Sequence, residues 1–157
     1  NRGVQPDIRL PSAISPEEVG ESSRDAALPW NRIRPAPFKR EGSLAPLIAD
    51  LQSQHEQRIA GDPDFQHRLE EIASIDEMRK EKAVSLNLEQ RRVERETLTK
   101  DQLDRENERR AALGVATLDD AEDIKDVPDA ILSEALQITA DLAQIEPRYV
   151  ARVRPAP

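Results

Sequence analysis

From residue 43 onward the apolar residues recur at three- and four-residue steps, the spacing of one helix face. Leu44, Leu47, Ile48, Leu51, His55 and Ile59 lie on such a face, with Ser43 placed as a cap and Gly61 as a stop, and predict an amphipathic helix. Asp62-Pro63-Asp64 restarts the pattern with a cap and a proline at the first helical position. Phe65, Leu69, Ile72, Ile75 and Met78 or Arg79 carry it to about Lys82. So short a turn predicts that these two helices pair as a hairpin. Asn87 with Gln90 resembles a capping box for a third helix that runs to Leu113 and closes at Gly114. Its apolar residues Leu88, Val93, Leu98 and Leu103 are five apart and wind around the helix, which predicts a largely solvated element. Residues 114–127 read as an acidic loop. Pro128 opens a fourth helix whose Ile131, Leu132, Ala135, Leu136, Ile138, Leu142 and Ile145 form the strongest apolar face of the chain and call for a partner surface.

Residues 1–42 show no such period. They hold six of the twelve prolines, which remove backbone donors and forbid a long helix, so an extended segment is expected, with a short strand at most around Gly3–Leu10. Ser15-Pro16-Glu17-Glu18 has the chemistry of one helical turn. The expected fold is mainly α: a small bundle of about four helices preceded by an extended proline-rich segment with a short strand. Residues 43–146 form the helical part, and residues 147–157 a proline- and arginine-bearing tail, loose at its end.

Composition narrows this picture. Only 37% of the 157 residues are apolar and four are aromatic, so the core must be thin and aliphatic. A charged fraction of 34% borders on disorder, but the signs are mixed and interspersed with apolar residues at helical spacing, which favours exposed helices. The net charge is −8, and residues 114–157 carry 9 acidic against 4 basic residues. That balance disfavours nucleic acid as a partner, because phosphate neutralisation needs a basic surface. No apolar run approaches the ~20 residues that span a bilayer. Cysteine is absent, which removes disulfides and thiolate chemistry. The chain opens on Asn1 rather than Met and is read as a fragment or processed product.

Candidate chemistry is sparse. His55 and His67, beside Glu56 and Glu70, would need a third ligand to hold a metal, and spacing supplies none; packing or surface roles are the simpler reading. No serine sits in a G-x-S-x-G elbow or an S-x-x-K pair. The charged run from Glu94-Arg95-Glu96 to Asn107-Glu108-Arg109-Arg110 reads as i, i+4 support of a solvated helix, with a partner-recognition surface as the sharper alternative. No catalytic, cofactor-binding or metal position is assigned. Leu28-Pro29-Trp30 stands apart: a lone tryptophan in a proline-locked segment is costly to expose, so these three residues are expected to anchor the extended segment to a protein body.

Four blocks, in order, carry a resemblance: Gly3-Val4-Gln5-Pro6-Asp7-Ile8; Gly20-Glu21 with Asp25-Ala26-Ala27-Leu28-Pro29-Trp30; Arg58-Ile59-Ala60-Gly61-Asp62-Pro63-Asp64-Phe65; and Val84-Ser85-Leu86-Asn87. Together they resemble the C-terminal region of bacterial tail-specific, or carboxy-terminal-processing, serine proteases. The resemblance implies an envelope (periplasmic) endopeptidase with a Ser/Lys dyad and a PDZ domain, both preceding this stretch, so the segment itself is expected to be non-catalytic. It further implies that residues 1–42 are the last strand and exit strap of the protease domain, and 43–146 a C-terminal helical domain supporting it. The implied partners are the rest of the parent protease, a helical lipoprotein adaptor or a second copy, and protein substrates with apolar C-termini. The alternative is a free-standing acidic helical interaction module.

Overall fold

The computed structural model describes residues 6–14, 20–28, 37, 44–125 and 127–153, with side chains as far as 145. Among these, four α-helices account for the regular structure: α1 (Ala45–Ala60), α2 (Pro63–Lys80), α3 (Leu88–Ala112) and α4 (Ala130–Val153). Two 3-10 turns, Glu21–Ser23 and Ala121–Asp123, accompany them. The mainly α expectation holds. No strand occurs among the described residues; positions 6–10 of the expected strand are without one, and positions 3–5, Ser43 and the Ser15–Glu18 turn lie outside the described residues.

Local chemistry sets the helix ends. Asp62 is held in the extended region (φ −93°, ψ 109°), as a residue before proline must be, and this ends α1. Its Oδ1 accepts from the amides of Asp64 (2.9 Å) and Phe65 (3.2 Å), which begins α2, with Pro63 where its missing N–H costs nothing. Gln66 Nε2 donates to the Ile59 carbonyl at 2.7 Å and fixes the angle of this corner. Asn87 Oδ1 caps α3 by accepting from Glu89 N (2.9 Å) and Gln90 N (3.2 Å). At the other end Gly114 takes φ +69°. Its amide reaches the Ala111 carbonyl (3.1 Å) and that of Val115 the Arg110 carbonyl (2.9 Å), the paired bonds of a Schellman stop. Asp129 Oδ1 caps α4 through the Leu132 amide at 3.0 Å. That helix runs past Pro147 to Val153, and the end of the tail expected to be loose, residues 154–157, lies outside the described residues.

The chain divides into two compact units, residues 1–56 with 135–157, and residues 57–134. In the first, Leu47, Leu51 and His55 form a buried stripe at four-residue steps on α1. On α4, Ala135, Ile138, Leu142 and Ile145 are half-buried at three- and four-residue steps, whereas Leu136, which belonged to the expected apolar face, is exposed.

In the second unit α3 lies on α2. Phe65 and Ile72 of α2 are buried here, with Ala130 at the start of α4. The loop after α3 is tied back to it: Asn107 Nδ2 donates to the Leu118 carbonyl (2.9 Å), its Oδ1 accepts from the Leu118 amide (2.7 Å), and Arg110 Nε donates to the Ala116 carbonyl. Asp120 then caps the Ala121–Asp123 turn, which rests on α3. The acidic loop is thus held in a defined path.

Two substitutions check these assignments. Gly114→Ala meets no neighbouring atom, so its cost is the left-handed backbone alone, about 1 kcal/mol in a denaturant titration. Asn107→Ala leaves both backbone groups of Leu118 without partners, and should lower stability by roughly 1–2 kcal/mol while speeding hydrogen exchange in residues 115–120.

Candidate functional site

The most densely connected group of ionisable side chains is inside the second unit. The first turn of α2 holds the buried Phe65 (1% exposed), and on the α2–α3 seam lie Glu106 (2%), His67 (6%) and Arg109 (8%). They meet there because α3 has no apolar stripe to offer: the positions that face inward at helical spacing are Leu103, Glu106, Arg109 and Arg110. Burying charge is tolerable only when it is paired and fully hydrogen-bonded. Arg109 meets that requirement, its Nε donating to Glu106 Oε2 (2.8 Å) and its Nη2 to Glu106 Oε1 (2.7 Å) as a bidentate fork, while Nη1 reaches Asp64 Oδ1 across the seam. Arg110 Nη1 stands 3.6 Å from Glu106 Oε1, and His67 Nε2 lies 3.6 Å from Glu71 Oε1 and 3.9 Å from Glu106 Oε2. Arg68 closes the outer side on Glu71 at 2.9 Å.

The electrostatics follow from this geometry. The hydrogen bonds from Arg109 hold the Glu106 carboxyl below its ordinary range against the opposing cost of burial, with the Arg109, His67 and Arg110 charges adding to them. Reciprocally, the Glu106 carboxylate, helped by Asp64, raises Arg109 further above its already high value. A second buried pair lies in the same unit: Arg58, in the last turn of α1, gives Nη2 to Glu134 Oε1 (2.7 Å) and Nε to Oε2 (3.2 Å), and Glu134 is 4% exposed at the start of α4.

This arrangement positions helices. Both Glu106 oxygens already face a guanidinium, so the carboxylate is neither a free base nor a free metal ligand. Among the described residues no group of three or more His, Cys, Asp or Glu side chains could hold a metal ion. The two histidines flagged in the sequence are both buried, but each belongs to a different unit, and the partners of His67 are Glu71 and Glu106, not the neighbouring Glu70. Arg109, assigned from sequence to a solvated run, is instead the centre of the seam. The anchor residues fare differently: Leu28 is 74% exposed, its amide donating to Glu21 Oε1 at 3.3 Å, while Pro29 and Trp30 lie outside the described residues.

The outer face of α3 is built otherwise. Leu88, Val93 and Leu98 remain exposed beside Arg91 and Arg92, which pair along the helix with Glu94 and Glu89 respectively. Such i, i+3 pairs stabilise a solvated helix by only tenths of a kcal/mol, ~0.2–0.5 each.

Comparison with known proteins places these features. Residues 14–144 match the family model described as the C-terminal domain of tail specific protease. The chain belongs to that family. A tail-specific protease of Haemophilus influenzae is 34% identical over 146 residues, covering 89% of this chain and 21% of the relative. The chain thus spans about a fifth of the length of the curated relative it matches. The matched span holds the first three helices, most of α4, the ionic seam and the Asn107 clasp. No helix among the described residues is long and apolar enough to cross a membrane.

The seam gives a test with a defined sign. Glu106→Gln keeps the shape but leaves Arg109 buried with one anion fewer, and should cost about 3–5 kcal/mol near neutral pH. Because the folded-state carboxyl lies below its ordinary value of 4.5, its contribution is complete above that pH and lost as the pH falls through the lowered value. Urea titrations of wild type and variant should therefore converge only in that acid window, and a difference that persists unchanged into strong acid would count against the assignment.

Proposed function

We propose that this chain is the non-catalytic C-terminal part of a periplasmic tail-specific serine endopeptidase, supporting the protease body and helping it to engage substrate or adaptor. The observation that carries the reading is the family match over residues 14–144, joined to a structure whose buried ionisable groups are committed to one another. In this reading residues 1–42 are the last strand and exit strap of the protease domain. Residues 43–146 are the helical domain, and residues 147–157 a tail, of which α4 carries the part to Val153. Leu28, Pro29 and Trp30 anchor the strap on the protease body; the exposure of Leu28 accords with a seat provided by other parts of the parent. The Ser/Lys dyad and PDZ domain belong to that remainder. Substrates are envelope proteins with apolar C-termini, and a helical lipoprotein adaptor or a second copy meets the acidic helical surface.

The native polypeptide, detected with an antibody against this segment, should be about five times the 17.7 kDa of this chain, given its 21% share of the relative. It should also cleave a reporter with an apolar C-terminus. Removing residues 43–157 from that protein should depress cleavage strongly while an active-site serine probe still labels it. A native product of 17.7 kDa without a longer precursor would sink the reading and favour the free-standing acidic helical module.

A further inference from the structure

The connection between α2 and α3 is not built like a loop. It enters through Glu81 (φ −74°, ψ 104°) and leaves through Asn87 (φ −73°, ψ 121°), both in the extended region. Between them Val84 and Leu86 alternate with Ser85, and they are 63% and 98% exposed, the latter the most exposed large apolar residue described. Among the described residues no backbone hydrogen bond involves positions 82–86; the one nearby polar contact is Ser85 Oγ accepting from the Asn87 amide at 3.1 Å. Glycine and proline are absent from this stretch, and Val84 and Leu86, two apart, fall on the same side of an extended backbone. The ends are fixed independently, by the Glu81 amide on the Met78 carbonyl (3.3 Å) and by the Asn87 cap. A row of unpaired amides and carbonyls carrying an apolar pair on one side is the form in which a segment accepts a strand.

We infer that residues 82–86 pair, as an added strand, with an extended edge of the parent protein's own remaining chain, with Val84 and Leu86 seated in its apolar surface. The occupant is argued from size and linkage. Two aliphatic side chains and five residues of backbone fall far below the ~800 Å² per partner that a stable separate complex buries. The same contact made within one polypeptide needs no such area, because the linkage keeps the partner at ~mM effective concentration. The chain spans 21% of its relative, so most of such a protein is available as that partner. The inference rests on the reading that this chain is part of a longer protease.

The test is hydrogen exchange read by mass spectrometry on the intact parent protein. The amides of residues 82–86 should exchange at least ~100-fold more slowly than an open segment would, and Leu86→Asp should abolish that protection. Because Leu86 is 98% exposed, the substitution should leave protection in α2 and α3 unchanged. Exchange at the open-segment rate in an active, full-length protease overturns the inference and leaves the proposed function standing. Protection that vanishes on dilution with dimer dissociation overturns it in favour of a second copy. A Leu86→Cys variant whose thiol is shielded from alkylation while the amides exchange freely overturns it in favour of side-chain cover alone. A parent without peptidase activity would instead refute the proposed function, whatever the amides do.

Discussion

The guanidinium of Arg109 is the point on which the second unit depends. It is held by both oxygens of Glu106 on its own helix and by Asp64 in the first turn of α2, so one side chain fixes the rotation of α3 and its register along α2. An apolar contact could slide by a residue at modest cost; a forked ion pair inside a seam cannot, because the displaced charge would remain buried without a partner. Such networks add little net stability over a well-filled apolar core, but they penalise every alternative alignment. That trade suits this chain. Phe65 is the only aromatic among the described side chains, and α3 supplies no apolar stripe to meet it.

The second ion pair extends the same logic. Arg58 and Glu134 stand 76 positions apart in the chain, one in the last turn of α1 and the other in the first turns of α4, and both lie within the second unit. The Asp62 cap, the Gln66 side chain on Ile59 and the Asn107 clasp on Leu118 fix further corners of the unit by polar contacts. The precision of this unit therefore owes much to a few polar contacts, while its fully buried apolar side chains among the described residues are Phe65, Ile72 and Ala130.

Helix identity and ends were legible in the sequence because they are local. Asp62-Pro63, Asn87 with its following residues, and Gly114 each act through backbone atoms within a few positions, and each does in the structure what its chemistry dictates. His55 was legible as a stripe residue, continuing Leu47 and Leu51 at four-residue steps. Partner choice was not legible, because it is decided at long range. No local signal announces that α2 packs with α3. The charged run containing Arg109 scored as solvated because composition cannot distinguish an exposed Glu-x-x-Arg pair from a buried one. The available signal was indirect: apolar residues spaced by five cannot form a contact face, so if α3 packs at all it must bury charge.

This inversion also explains why the outer surface of the domain looks as it does. With Glu106 and Arg109 turned inward, Leu88, Val93 and Leu98 of the apolar residues that wind around α3 are left outside. Leu88 and Val93 are each 62% exposed, and Val84 and Leu86 are exposed in the connection before α3. A free-standing module would be expected to place those side chains within and the charges without, since exposed aliphatic residues gain nothing in water. A domain that forms the end of a larger protein is under no such constraint. Its ionic seam can set the geometry from inside, and its apolar edge is available for the rest of the polypeptide to cover. The two features that seem misplaced when the chain is considered alone are consistent with each other once it is treated as a fifth of a longer protein, the share it has of the curated relative.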